Sequence, residues 1–263
     1  ERFSTQQEVI QRVKDTPAPQ VKRLGADKRQ WFEKFKWFFT SDGHLVVAGR
    51  DATTNEIVVK KHTDAKDLLL HTEMAGSPFA VLKRDTTERD RLLGDSWQPL
   101  WQPGEKDRLE EIEGFTQQII FETGTFVAVH SRSWRMGYGT ADVFFVNPHQ
   151  VSKEANAGEF MPKGAFMIRG ETRHIEPTMD FAIGLVTLAT GEALVMGAPL
   201  EAIQAHCKHY VKIEQGNTKA SQVASSIAST FKATAQVSVS LDDIIKTLPS
   251  GGCQIVKERK RKK

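Results

Sequence analysis

The sequence predicts an α+β fold: a mixed, largely antiparallel β-sheet with packed helices and a short helical linker at the N-terminus. Three observations lead there. Short apolar runs recur between clusters of Gly, Pro, Asn and Asp, the pattern of strands and turns. The runs fall into hairpins more often than into regular alternation with helices, which argues against a doubly wound parallel sheet. The chain has 263 residues, 39% of them hydrophobic, enough to bury a sizeable core in one large domain or two small ones.

Residues 1–28 are polar and broken by Thr16-Pro17-Ala18-Pro19, and read as a linker or the tail of an upstream helical arm. Aromatic residues crowd Trp31 to Phe39, a stretch best explained as core, with Trp31 or Trp134 as the exposed exception. Ser41-Asp42-Gly43 is a turn, and His44 to Ala48 an apolar strand. Thr53 to Glu56 has capping-box spacing, which predicts a helix with Thr53 as N-cap. Asp67 to Thr72 and Phe79 to Lys83 read as strands. Residues 84–113 are charged, and Gly94 to Gly104 reads as a surface insertion or long loop. Phe115 to Ser133 fits a hairpin and a helix equally well by pattern.

Further strands are predicted at Ala141 to Val146, Ala165 to Arg169, Tyr210 to Glu214 and Gln254 to Val256, with Phe181 to Met196 folded at Thr190-Gly191. Helices are predicted from Pro199, from about Lys219 to Phe231, and from Asp242 to Leu248. The domain is expected to span 29–256, followed by a basic tail at 257–263.

A net charge of +3 is too small to imply a nucleic-acid partner unless the charge is clustered. Cys207 and Cys253 stand far apart, so no disulfide framework is expected. No apolar run reaches membrane-span length, and no membrane partner is expected. P-loop, GxSxG and HExxH patterns are absent, so no catalytic residue, metal or cofactor is assigned and no enzyme activity is expected. His206-Cys207 with His209 resembles a ligand pair, but without a second cluster it reads better as a helix edge.

The candidate contacts are therefore basic residues near aromatic ones. Arg50-Asp51 stands directly between a strand and a helix, and that helix ends in Lys60, Lys61 and His62. A planar guanidinium there suits phosphate recognition, while Asp51 reads as a cap or an orienter of Arg50. Lysines at a helix C-terminus are also favoured by the macrodipole alone. Arg132, Trp134 and Arg135 precede the Gly-rich turn Gly137-Tyr138-Gly139, a combination suited to stacking and phosphate contact, or to a solvated helix end. Lys153, Lys163 and Arg169 flank a Pro- and Gly-rich connection.

Taken together, WFEKFKWFFTSDGHLVVAGRDATTNE, VVKKHTDAKDLLLHTEMAGSPFAVLK and ADVFFVNPHQVSKEANAGEFMPKGAFMIRG resemble the NFACT-R domain of the NFACT (NEMF/RqcH) family. The later YVKIEQGNTKASQVASSIASTF and LDDIIKTLPSGGCQIV are similar to its archaeal members. The resemblance spans about residues 30–256 and favours the helical reading of Phe115 to Ser133. It implies an RNA-binding module of a ribosome-associated quality control factor in the cytoplasm. Its implied partners are the large ribosomal subunit rRNA, tRNA and ribosomal proteins, with NFACT-N and helical arms upstream. It implies support of tRNA recruitment for template-free C-terminal tailing, the peptidyl transfer belonging to the ribosome. Arg50, Asp51, Asn55 and His71 fall on the family's recurring blocks. The alternative expectation is a protein-interaction domain that contacts ribosomal proteins or partner factors without binding RNA. Gly76-Ser77-Pro78 departs from the family's turn, and the Gly94 to Gly104 stretch has no counterpart there.

Overall fold

In the computed structural model the protein is described at residues 29–74, 76–94, 97, 111–154 and 161–256. The proposed linker at 1–28, the basic tail at 257–263 and most of the Gly94 to Gly104 stretch lie outside the described residues. A 3-10 turn at Trp31–Lys34 leads into β1 (Lys36–Phe39), β2 (Leu45–Ala48), α1 (Ala52–Lys61), β3 (Leu68–His71), β4 (Ala80–Leu82) and α2 (Thr87–Leu93). There follow β5 (Glu111–Ile112), β6 (Phe115–Thr116), α3 (Gln117–Val129), α4 (Arg132–Arg135), β7 (Val143–Val146), β8 (Val151–Ser152), β9 (Met167–Ile168) and β10 (Arg173–Ile175). The last part holds β11 (Phe181–Thr187), β12 (Ala193–Pro199), α5 (Leu200–His206), β13 (His209–Thr218), α6 (Ala220–Ala235), α7 (Leu241–Ile245) and β14 (Cys253–Ile255). The fold is α+β, as expected.

Two antiparallel sheets carry the structure. The larger runs β1-β2-β4-β3-β7-β10 and the smaller β12-β11-β13-β14. The aromatic stretch is core, as predicted: Phe32, Phe35, Trp37, Phe38 and Phe39 are all buried. Burying each such side chain contributes roughly 1.5–3 kcal/mol. β11 and β12 form the hairpin expected at Thr190-Gly191, in register from Phe181 opposite Pro199 to Thr187 opposite Ala193.

Helix α3 lies between the sheets, touching β3, β4 and β7 of the larger and β11 and β12 of the smaller. Its apolar residues therefore run round the whole helix, which is why periodicity left 115–133 open. The helical reading is correct. Gly124 lets β10 approach closely, since a Cβ there would come within 2.6 Å of Ile175 Cδ1. Glu122, buried on this helix, accepts from the Ser41 backbone N–H at 2.8 Å and from its hydroxyl, pinning α3 to the β1–β2 turn. Burial pushes the Glu122 carboxyl up to about 7, against the hydrogen bonds from Ser41.

Helix α1 starts two residues earlier than the Thr53 to Glu56 spacing suggested. Its N-cap is Asp51, not Thr53: the Asp51 carboxylate accepts from Thr54 N at 2.8 Å, and the Thr54 hydroxyl accepts from Asp51 N at 2.9 Å. Thr54 thus plays the part that the spacing gave to Glu56. Glu56 reaches away from the helix instead, to Lys153 at 2.7 Å and to the Gly164 N–H at 3.0 Å.

Candidate nucleic-acid interface

A cleft of about 1250 Å³ opens where the β2–α1 corner, the end of β3, the 162–168 segment and the 245–252 segment converge. Each wall has a local cause. Gly164, at φ +82°, passes so close to the first turn of α1 that a Cβ would lie 2.6 Å from Ala52 Cα. This contact, with the Glu56 bond to Gly164 N–H, sets the exposed Lys163 at the mouth beside Asp51. Hydrogen bonding to Thr54, helped by the Lys163 charge, holds the Asp51 carboxyl below its ordinary range. Lys153 holds Glu56 down to about 2, so that ion pair stays charged at any ordinary pH.

The opposite wall is aromatic. The His71 imidazole stacks on Phe79 with centroids 4.0 Å apart and planes 8° from parallel, and Phe166 meets Phe79 edge-on at 5.1 Å. His71 Nδ1 lies 3.0 Å from the Pro78 carbonyl, which only accepts, so Nδ1 carries the proton. In the neutral ring Nε2 is then an acceptor. Burial lowers the His71 pKa, which favours this neutral form.

Charge is distributed unevenly around this cleft. Lys36, Arg50, Lys163, Lys219 and Lys246 line it, against the carboxylates of Asp51 and Glu73. Asp51 is engaged as a helix cap. A chain of nearly balanced total charge therefore concentrates positive charge at one place, the condition under which electrostatics attracts a polyanion.

Five of the residues singled out in the sequence, Arg50, Asp51, Asn55, His71 and Lys163, line the cleft. Asp51 is the helix cap it was read as, while Arg50 and Asn55 take structural roles. Arg50 is half-buried and donates to three backbone carbonyls: Phe35 at 2.7 Å, Lys34 at 3.1 Å and Lys246 at 3.3 Å. Its fork bolts the start of β1 to the C-terminus of α7, while its charge remains at the cleft. Asn55 is buried, and its Oδ1 accepts from Phe79 N at 3.1 Å, fixing α1 to the edge of β4.

The other candidates are not gathered there. Lys60, Lys61 and His62 end α1, about 15 Å from its capped start at 1.5 Å per residue. Lys60 pairs with Glu56 at 3.5 Å, and the half-buried His62 ring stacks on Trp31 at 4.5 Å, with burial lowering its pKa. Trp31 is thus half-buried rather than exposed. Trp134 corrects the expectation outright: it is 2% exposed and its indole N–H donates to Gly252 O at 2.7 Å. Arg132 and Arg135 remain exposed, next to exposed Met136 and Tyr138, so the loop keeps its aromatic in Tyr138 instead. Lys153 is tied to Glu56 and lies 4.9 Å over the Phe166 ring, and Arg169 is exposed, with a long contact to Glu154 O at 3.4 Å.

His206 donates through Nε2 to Thr40 O, and burial pushes the Cys207 thiol up, so neither is poised as a ligand. Among the described residues no group of three or more His, Cys, Asp or Glu is placed to hold a metal ion. No helix among them is long and apolar enough to cross a membrane. Sequence reasoning missed Lys36, His130, Lys219 and Lys246 as cleft residues. Lys36 alone left a trace, as a charge inside an otherwise aromatic strand.

Comparison with known proteins bears on this site directly. The model of the NFACT protein RNA binding domain matches residues 34–170, from the residue before Phe35 through β9. The archaeal Rqc2 homolog aRqcH of Methanocaldococcus jannaschii is 34% identical over 240 residues, covering 91% of this chain and 31% of that protein. The ribosome quality control complex subunit NEMF of Homo sapiens is 32% identical over 153 residues, or 58% of this chain and 12% of that protein. This chain therefore spans less than a third of either relative. A solved structure of the C-terminal part of the fibronectin/fibrinogen-binding protein from Streptococcus suis is 14% identical with a TM-score of 0.39, covering 65% of this chain and 55% of that one, too distant to carry an argument. Since the matched residues build the larger sheet through β7 and three of the cleft's walls, this chain belongs to the NFACT family of ribosome quality control proteins and carries its RNA-binding domain.

Proposed function

We propose that the cleft is the RNA-contacting surface of a cytoplasmic ribosome-associated quality control factor, and that the domain acts by binding rather than catalysis. The observation that carries this reading is the excess of cations at the cleft: five basic side chains against two carboxylates, one of them engaged as a cap. Phosphates would lie along Lys163, Lys219, Lys246 and Arg50. An unstacked base would meet the His71, Phe79 and Phe166 wall, where neutral Nε2 offers an acceptor. The exposed Arg132, Arg135 and Tyr138 extend this surface: a Cβ at Gly251 would lie 2.5 Å from Arg135 Cα, so that loop abuts the 249–252 edge of the cleft. The names of the relatives point to ribosome quality control, and the RNA partners in this reading are large-subunit rRNA and tRNA. Within the longer protein the domain would seat the factor on stalled subunits and support tRNA recruitment for C-terminal tailing.

The test is the salt dependence of binding to tRNA and to large-subunit rRNA fragments. Replacing Lys163 and Lys219 by Ala should weaken binding and flatten the slope of log K against log salt by roughly 0.7–0.9 per lost phosphate contact. The pair Lys60→Ala and Lys61→Ala, at the far end of α1, should change the slope less. Unchanged affinity and slope in a folded Lys163/Lys219 variant would reject the cleft. Capture of ribosomal proteins with no measurable RNA affinity would favour the protein-interaction alternative.

A further inference from the structure

Behind the cleft lies a second, smaller cavity of about 260 Å³, between β1 and β12, closed by α3 and α7. Lys36, Arg50, His130 and Lys246 line both cavities, so the two adjoin at this cluster. Arg50 and Lys246 have structural partners there: Arg50 bonds to its three carbonyls, and Lys246 approaches Asp243 at 3.7 Å. Lys36 and His130 do not. Lys36, half-buried, forms no ion pair with a described carboxylate, and His130, 5% exposed, holds its Nδ1 buried without a hydrogen-bond partner. Buried polar atoms are nearly always satisfied, and an orphan beside an unpaired ammonium needs an explanation.

The groups that face this pair from each neighbouring element are Arg29 and Glu33 before β1, Arg50 after β2, and Asp243 and Lys246 on α7. The β12 side contributes the apolar Ala193, Leu194, Val195 and Gly197. Neither carboxylate neutralises the pair. Asp243 lies 3.9 Å from Arg29 and 3.7 Å from Lys246, and Glu33 accepts from Gln30 N at 2.6 Å. Lys36, His130 and Arg50 therefore converge on a walled space whose two carboxylates, Glu33 and Asp243, are engaged with Gln30, Arg29 and Lys246. We propose that Lys36, His130 and Arg50 form an anion site that receives a phosphoryl group, with the apolar walls of Phe35, Trp37, Phe126 and Val239 accepting what the phosphate is attached to.

This site rests on and deepens the RNA reading: it shares Lys36 and Arg50 with the cleft, whereas Lys163 and Lys219 line the cleft alone. Burial and the neighbouring Arg50 lower Lys36 to about 7, and burial with the Lys36 and Arg50 charges lowers His130 well below its ordinary value. An anion between them reverses both effects, so its binding takes up protons. The phosphoryl group has two sources, a terminal phosphate on an RNA chain or a small free phosphate, and the experiment separates them.

The experiment titrates the whole chain with sulfate, with inorganic phosphate, and with one short RNA carrying either a 5′-phosphate or a 5′-hydroxyl. Binding is followed by calorimetry and by imidazole NMR signals of His130. Sulfate keeps its charge across the pH range, so its affinity should rise as pH falls through about 7, where Lys36 becomes protonated. Lys36→Met should lower sulfate affinity about tenfold or more, the loss expected for one charge-assisted hydrogen bond. That variant removes a buried charge, so it should fold at least as stably as the parent. His130→Phe supplies a second lesion at the same site. Preference for the phosphorylated RNA over its hydroxyl twin assigns an RNA terminus, and equal RNA binding with phosphate affinity retained assigns a small phosphate. Absence of any anion binding, or binding unaffected by Lys36→Met, overturns the site. The Lys163/Lys219 variant should lose RNA affinity while leaving sulfate affinity intact, so failure of the cleft and failure of the pocket give different results.

Discussion

Two ionisable side chains, the buried Glu122 and the half-buried Lys36, have pKa values shifted far enough to bear on the pH behaviour of this domain. Glu122 sits near 4.5 in the unfolded chain and about 7 in the fold. A carboxyl raised on folding contributes stability that is full below about pH 4.5 and is lost as pH rises to about 7. Glu122→Gln keeps an acceptor for Ser41 N and offers a donor to its hydroxyl, but it does not titrate. Urea unfolding at pH 5 and pH 8 should therefore show a smaller pH difference in this variant than in the parent; an identical difference would remove Glu122 from the account. Lys36 works in the opposite sense, since its pKa falls from 10.5 to about 7 on folding. Stability is diminished below about pH 7 and recovers between 7 and 10.5. Lys36→Met should accordingly stabilise the fold at neutral pH by about 1–4 kcal/mol, the range seen when a poorly compensated buried charge is replaced by an apolar chain. Neither burial was legible locally. Lys36 was visible as an oddity in KFKWFF, but its facing partners come from residues as distant in sequence as His130 and Lys246.

Among the elements, helix α1 shows most directly how sequence and geometry divide the work. Capping residues cluster at 51–54, and pattern offered two caps, Thr53 by its capping-box spacing with Glu56 and Asp51 by its place before the helix. The structure chose Asp51 because Glu56 is taken by Lys153 and Gly164, a contact across about a hundred residues that no local rule reports. Asp51→Ala should destabilise the domain by about 0.5–2 kcal/mol in thermal or urea unfolding. The same change in Thr53, which is exposed and carries no cap bond, should have little effect. Equal losses at both positions would return the cap to Thr53. Helix α3 makes the complementary case. Buried against two sheets, it lacks the polar face by which an amphipathic helix announces itself, so pattern left hairpin and helix open and the family resemblance chose helix correctly.

Over the whole molecule, Arg50 joins parts that sequence pattern treats as separate. Its guanidinium ties the start of the larger sheet, at Lys34 and Phe35, to Lys246 on α7, which packs with α6 against the smaller sheet. Trp134 makes a second link, from α4 to Gly252. An ammonium cannot span three carbonyls in the guanidinium's fixed fork, so Arg50→Lys should cost about 1.5–3 kcal/mol for each charge-assisted bond it fails to replace. If the two sheets depend on each other through these links, calorimetry should show one unfolding transition, moved to lower temperature in the variant. Two separate transitions in the parent would show the sheets to be independent units. The family model ends at residue 170, before the smaller sheet begins, yet the cleft takes residues from both sides of that limit. The RNA surface proposed here is thus a property of the joined molecule.

By itself the sequence determined the fold class, most strands, the aromatic core and the family, because each is written in local composition, hydrophobic period or contiguous motif. It also singled out Arg50, Asp51, Asn55 and His71, which the fold brings to one cleft. Only the tertiary structure decided which charges meet. It carried Lys60 and Lys61 away from the cleft along a rigid helix, buried Trp134, and brought Lys36, Arg50, His130 and Lys246 to one partition between two cavities. The reason is physical: apolar burial follows from local pattern, whereas the field at a site sums charges over distance, and folding alone sets those distances.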